Sequence, residues 1–387
     1  MSALSRHYVL AAGGTGGHLV PAYALASELE RRGHRVALVT DERGAKLPGK
    51  PEGLTAHVLP AGRFGKDPVQ WLRGARSVLA GRAMALQLFD SFAPSAVIGF
   101  GGYPSLPTLL AARTARIPAL VHEQNAVLGR VNRLLARRVD VIATAYPEVA
   151  RLQPRLLGKT ELVGNPVRAD VAALRDQPYP PFTADGLFRI LVTGGSQGAS
   201  VFAQVVPDAL SMLPPALRSR LQVMQQCRPE DIDDVRARYA AHDIPAELGT
   251  YFGDMAARLA ASHLFIGRAG GMTIAELTCV GRPAILVPLP IATDDHQAAN
   301  TREMVTAGGA RMIRQAKFTA VELAKQIQAM AMQPETLATA AHAAWNCGRP
   351  NAAADLADLV EGFGGAGLMD VIRVAGSIAA SKREAAA

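Results

Sequence analysis

Twice in this chain a short apolar run breaks into glycines and then into a helix-like stretch. HYVL (7–10) leads into AAGGTGGH and LVPAYALASELERRG, and FRILV (188–192) leads into TGGSQG and ASVFAQVVPDAL. A buried strand, a glycine turn and a helix form the opening unit of a doubly wound α/β sheet. Four glycines and Thr15 fill residues 13–17, and each glycine loses more backbone freedom on folding than any other residue. A tight turn with close helix packing would need only one of them. Successive glycine amides at a helix N-terminus instead make a cradle for an anion, phosphate above all.

The alternation continues through HRVALVT, SAVIGF, SLPTLLAARTA, IPALVH, AVLGRVNRLLARR and VDVIATA, and in the second half through LQVMQQC, SHLFIG and PAILVPLP. Continuous apolar strands between helices predict parallel sheets covered on both faces. LVGNPVR and QPYPPF carry the breakers of a linker. The expectation is two Rossmann-like domains, 1–165 and 166–345, facing a central cleft lined by the glycine loops, because ligands bind beyond the carboxyl ends of such strands. Residues 346–387 are expected to form a helix returning to the N-terminal domain and then a peripheral tail.

Of 387 residues, 49% are apolar and 19% charged, as in a soluble globular protein. Cys227, Cys279 and Cys347 are scattered and form no CxxC pair or metal-ligand spacing, which predicts a reducing compartment and no disulfides. MSALSRHYVL lacks the basic and apolar regions of a signal peptide, and no apolar run reaches the ~18 residues of a membrane span. A cytoplasmic protein is expected.

The net charge of +8 is unevenly spread. Residues 1–165 hold 21 Lys and Arg against 11 Asp and Glu, and the remainder 20 against 22. Such asymmetry points to an anionic partner, either nucleic acid or an acidic membrane. Arg63, Lys66, Arg73, Arg76 and Arg82 stand among Phe64, Trp71, Leu72, Val78 and Leu79. That mixture suits a lipid interface, or a solvated helix with one core-facing stripe. An aromatic content of 5% and no recognisable module argue against nucleic acid.

A dinucleotide fingerprint fits poorly: its third glycine would fall at Leu19, although Asp41 stands about where a ribose-binding acid belongs. A P-loop is excluded because no Lys-Ser/Thr pair follows. His18, at the end of the glycine loop, is a candidate general base. In the second half, Ser196 and Gln197 sit in GGSQG, and Gly270-Gly271 would open another helix. Glu276 within that helix could accept two hydrogen bonds from vicinal hydroxyls, as on a ribose. Asp294, Asp295 and His296 in TDDHQAAN suit hydrogen bonding to a polyhydroxyl ligand better than one metal ion. Asp231-Ile232-Asp233 reads as a helix first turn rather than a metal pair.

Taken in order, GGTGGH, GFGGYPSLP, HEQNAVLGRVN, GNPVR, GGSQGA, RAGGMTIAE and TDDHQAAN resemble the MurG family, over about residues 7–362. Members transfer N-acetylglucosamine from UDP-N-acetylglucosamine to lipid I, giving lipid II in peptidoglycan synthesis. The resemblance implies a GT-B glycosyltransferase fold and a donor nucleotide held mainly by the C-terminal domain. It implies an inverting transfer to the 4-hydroxyl of the N-acetylmuramyl residue, with neither metal nor cofactor. It also implies a peripheral protein at the cytoplasmic face of the inner membrane, whose basic N-terminal domain meets anionic lipid and whose partners include cell-wall synthesis proteins.

Carried over by motif, the substrate-binding residues would be Thr15, Gly16, Gly17, Asn125, Arg168, Ser196, Phe252, Gly271, Met272, Thr273, Ile274, Ala275, Glu276 and Gln297. The motifs do not settle the base, for which His18 is the candidate by its position, and His18 and Glu276 are the expected catalytic residues. Glu276 would hold the ribose, the backbone at Phe252 would meet the uracil, and Gln297 would contact sugar hydroxyls. Ala275 stands where some members carry serine, and Phe252 where a smaller aliphatic also occurs. Two rival readings remain: a nucleotide-sugar 2-epimerase of the same architecture, and a non-catalytic basic protein of the membrane surface.

Overall fold

The computed structural model describes residues 5–62, 67–183, 185–195 and 198–363. The chain divides into two α/β units: one runs to Arg168 and resumes at Asn351, and the other is Ala169–Pro350. These breaks fall beyond the expected positions at Asn165 and Trp345, for a local reason at each place. Gly164 and Asn165 are tied to the first sheet, Gly164 O to His122 Nε2 at 2.8 Å and Asn165 Nδ2 to Gln124 O at 3.0 Å. Arg349 is held in the second unit by Glu303, at 2.7 Å.

In the first unit the strands are β1 (His7–Ala11), β2 (Arg35–Thr40), β3 (Thr55–Val58), β4 (Ala96–Gly99), β5 (Ala119–Glu123), β6 (Val141–Thr144) and β7 (Thr160–Leu162). They pair in parallel in the order β3-β2-β1-β4-β5-β6-β7. Alternate side chains of the buried strands feed two cores. Tyr8 and Leu10 pack with helix Gly16–Arg31, whereas Val9 and Ala11 pack on the side of helices Pro68–Phe92 and Ser105–Thr114. Each large side chain so buried stabilises the fold by about 1.5–3 kcal/mol. Helix Ala352–Gly362 completes the first core with Leu356, Ala357 and Val360. Arg32 pins it through Asp358 at 2.6 Å and Glu361 at 2.7 Å.

The second unit repeats the design with β8 (Phe188–Thr193), β9 (Leu221–Gln226), β10 (Ala246–Gly249), β11 (Leu264–Gly267), β12 (Ala284–Leu286) and β13 (Ala310–Met312). Its parallel order is β10-β9-β8-β11-β12-β13. Ile190, Val192 and Ile266 meet Phe202 and Leu323 in its core. In each sheet the winding reverses beside the first strand, between β1 and β4 and between β8 and β11. At these switch points the loops at the carboxyl ends part and leave a crevice.

Of the basic stretch, Arg63, Phe64 and Lys66 lie outside the described residues. The rest forms helix Pro68–Phe92, capped by Asp67, whose Oδ1 accepts from Val69 N at 3.0 Å. Val78, Ala85 and Phe89 face the core, while Trp71, Leu72 and Leu79 are 59%, 63% and 62% exposed. Among the described residues no helix is long and apolar enough to cross a membrane.

Candidate functional site

At the first switch point the loop after β1 meets the loop after β4. Gly13 N donates to Gly101 O at 3.0 Å, and the two chains touch so closely that a Cβ on Gly13 would stand 2.8 Å from Gly102 Cα. Gly101 and Gly102 have φ of +87° and +76°, a region that favours glycine. This seam carries His18. A Cβ on Gly102 would lie 3.4 Å from His18 Nδ1, and one on Gly101 3.4 Å from Nε2. Thr15 begins helix Gly16–Arg31 without a side-chain cap bond, and its Oγ1 lies 3.1 Å from His18 Nδ1.

Gly16 and Gly17 differ from Gly13. A Cβ on Gly16 would meet nothing within 4 Å, and one on Gly17 would meet only Thr15 Oγ1 at 4.0 Å. Neither has positive φ. Protein packing therefore does not require these glycines; the space above them is open, as it must be where a ligand approaches backbone amides. Asp41 takes no part in such a site. Its Oδ1 caps helix Glu42–Ala45 by accepting from Gly44 N at 2.8 Å, and it lies against Gly14.

Beyond β5 lies a buried polar knot. Glu123 Oε1 accepts from Asn125 N and Nδ2 at 3.1 and 3.3 Å, and its Oε2 accepts from Gly129 N and Asn132 Nδ2 at 2.7 and 2.8 Å. Burial pushes the Glu123 carboxyl above the usual range, against the pull of these donors. His122, fully buried, has its pKa pushed down to about 4 by desolvation. It is therefore neutral near pH 7, with Nε2 donating to Gly164 O and Nδ1 2.9 Å from Gln124 Nε2. The orientation of Asn125 thus follows from Glu123. Arg168, half-buried, ends the first unit.

In the second unit helix Gly271–Val280 starts right after the β11 loop, with Gly270 at its N-cap and Glu276 half-buried along it. Gln297 and Asn300, on helix His296–Asn300, fasten that loop. Gln297 Oε1 accepts from Ala269 N at 3.3 Å and Leu289 N at 2.9 Å, and Asn300 Nδ2 donates to Ala269 O at 3.1 Å. The Gln297 oxygen is thereby committed to backbone. Phe252 is buried at the β10 end of the sheet, against Gly249 and 4.1 Å below the Arg258 guanidinium. Met272, Thr273, Ile274 and Ala275 occupy the first turns of helix Gly271–Val280. Ser196 and Gln197 lie outside the described residues.

Three acidic or basic residues singled out in the sequence have local partners, and Asp231 sits at a helix start as expected. Asp231 Oδ2 accepts from Ser200 Oγ at 2.7 Å, tying two helix starts together. Asp295 pairs with Arg314 at 2.7 Å on the surface, and His296 Nδ1 lies 2.9 Å from Thr293 O. Asp295 and His296 thus have local partners as well.

The comparisons fit two such units in sequence. Residues 8–144 match the glycosyltransferase family 28 N-terminal domain and residues 189–360 the family 28 C-terminal domain. A Novosphingobium aromaticivorans protein named UDP-N-acetylglucosamine–N-acetylmuramyl-(pentapeptide) pyrophosphoryl-undecaprenol N-acetylglucosamine transferase is 74% identical over 98% of each chain. The chain belongs to the MurG family. The crystal structure of Acinetobacter baumannii MurG superposes with a TM-score of 0.74 at 29% identity, over 92% of this chain and 99% of that one. This establishes the GT-B fold. A Neisseria meningitidis UDP-GlcNAc 2-epimerase shares that fold alone, with a TM-score of 0.64 at 14% identity, over 91% of this chain and 98% of that one.

Within this MurG-family chain the structure brings Thr15, Gly16, Gly17 and His18 together at one switch point, and the residues from Gly271 to Glu276 together with Gln297 at the other. Sequence reasoning singled out Asn125 alone from HEQN and did not assign roles to Gly101, Gly102, His122, Glu123 or Asn132. A run of four polar residues directly after the apolar IPALV was the available signal for the knot. The contact between Gly13 and Gly102 had none.

Proposed function

We propose that this chain transfers N-acetylglucosamine from UDP-N-acetylglucosamine to the 4-hydroxyl of the N-acetylmuramyl residue of lipid I, with inversion, yielding lipid II and UDP. The observation that carries this reading is the open space over Gly16 and Gly17 beside His18, in a chain 74% identical to a relative bearing that name.

The chemistry follows from the placement of each group. In the tautomer whose Nδ1 donates to Thr15 Oγ1, 3.1 Å away, Nε2 of His18 is the basic nitrogen and takes the proton of the acceptor hydroxyl. The hydroxyl oxygen then attacks the anomeric carbon as the bond from that carbon to the diphosphate breaks, and UDP departs. Amides at the N-terminus of helix Gly271–Val280 stabilise the negative charge that develops on the departing diphosphate. Glu276 accepts from the ribose hydroxyls, Gln297 donates to the sugar through its amide nitrogen, and the backbone at Phe252 meets the uracil. Asn125, oriented by Glu123, and Arg168 are the donor-binding residues of the first unit.

We also propose that the first unit rests on anionic lipid at the cytoplasmic face of the inner membrane. Trp71, Leu72 and Leu79 are exposed on one helix with Arg73 and Arg76. The neighbouring helix Ser105–Thr114 carries Arg113, and Arg82 reaches Thr114 Oγ1 at 2.8 Å. Apolar side chains set among cations suit an interface of acyl chains and acidic headgroups.

The deciding experiment follows UDP release from UDP-N-acetylglucosamine in EDTA, with and without a lipid I analogue. Acceptor-dependent release is expected. Release without acceptor would favour the epimerase chemistry of the shared fold.

A further inference from the structure

Strand β8, which carries the second glycine loop, lies between β9 and β11. Each of those neighbours hands over to an arginine at its carboxyl end: Arg228 follows β9 by two residues, and Arg268 comes directly after β11. Arg228 stands against Gly198, just before helix Ser200–Ser211, and Arg268 against Phe202 in that helix.

The stem of Arg228 lies over Gly198, where a Cβ would come within 2.9 Å of Arg228 Cγ and 3.8 Å of Nε. The Nε is buried with no hydrogen-bond partner, and Glu230 Oε1 stands 3.8 Å from Nη1, beyond hydrogen-bonding distance. Arg268 lies with its guanidinium carbon 5.2 Å from the ring of Phe202, in the first turn of that same helix. It is 8% exposed. Its hydrogen bonds run from Nη1 to the carbonyls of Val287 at 3.1 Å and Pro288 at 3.4 Å, and among the described residues no carboxylate pairs with it. Desolvation alone lowers its pKa, with no acid to offset that cost. A buried cation without counter-charge is expensive unless a ligand supplies the charge.

We propose that Arg228 and Arg268 clamp the diphosphate of the nucleotide donor from both sides of the β8 loop and hold its charge as UDP departs. The inference rests on the donor reading above and assigns two positively charged side chains to the task that a divalent cation performs elsewhere. Arginine suits it, since its planar fork meets two phosphate oxygens at once.

Calorimetric titration with UDP and with uridine separates this role from a structural one. Arg228→Gln and Arg268→Met should each weaken UDP about tenfold or more, the loss of a charge-assisted hydrogen bond, while leaving uridine affinity unchanged. Arg228→Lys should recover part of the loss. Arg268→Met should melt no earlier than the parent, since it removes an uncompensated buried cation; should it fail to fold, Arg228→Gln, on a half-exposed side chain, carries the test. Equal losses for UDP and uridine, or unchanged UDP affinity in a parent that binds UDP, would overturn the clamp alone. A parent chain that binds no UDP would overturn the donor reading and the clamp with it.

Discussion

Gly13 and Gly102 meet backbone to backbone, so that a Cβ on either would stand 2.8 or 2.7 Å from the other's Cα. The contact joins the loops after β1 and β4 and makes the floor on which His18 rests. Gly102→Ala adds a clash to a left-handed backbone and should destabilise the first unit by roughly 2–4 kcal/mol. Urea unfolding and turnover should fall together; an unchanged midpoint would mean that the seam yields.

His18→Gln removes the proton acceptor but keeps a polar side chain over the same seam. Turnover should drop by about 10²–10⁴, with UDP affinity nearly unchanged. A loss confined to binding would make His18 a positioning residue.

Glu276→Ala should raise the Michaelis constant of the donor about tenfold or more by removing the ribose acceptor. Gln297 needs a subtler change, because its Oε1 holds Ala269 N and Leu289 N. Gln297→Glu keeps that oxygen and removes the amide donor, so donor affinity should fall while the melting temperature holds. A large drop in melting temperature would place the residue's main task in the fold.

Replacing Arg73 and Arg76, both exposed, with glutamate should weaken sedimentation with anionic vesicles, and added salt should weaken parental binding in the same way. Turnover on a water-soluble acceptor analogue should not change. Equal vesicle binding by parent and variant would put the lipid-facing surface elsewhere.

His263 gives the second unit a pH dependence. It is 1% exposed, and its Nδ1 accepts from Arg189 N at 2.9 Å. Desolvation above all, with cations nearby, lowers its pKa from 6.5 to about 4. Between those values the unfolded chain binds a proton that the folded chain refuses, so stability falls as pH drops through that window, by at most roughly 3 kcal/mol. Melting curves from pH 7.5 to 4.5 should show the loss in the parent and a flatter profile in His263→Asn, whose Oδ1 can keep the acceptor role.

Part of this protein is legible in its amino-acid order alone. Apolar runs such as HYVL and FRILV followed by glycines announce strands and helix starts, because strand burial and loop geometry are written in neighbouring residues. The seven segments carry the family and the GT-B fold, and place His18, Glu276 and Gln297 near the ends of strands. What each side chain is free to do is decided by residues far away in the chain. Asp41 reads as a ribose acid until Gly44 is seen to occupy it, and Asp295 as a lone surface acid until Arg314 is seen to pair with it. Gln297 offers an oxygen on paper that Ala269 and Leu289 have already taken. Glu123 passes for an ordinary acid until burial raises its pKa and four donors converge on it. Arg228 and Arg268 look like any other arginines until β9 and β11 set them on either side of β8. Periodicity is a property of neighbours along the chain, whereas hydrogen-bond saturation and desolvation depend on which strands lie side by side, and that only the folded sheet decides.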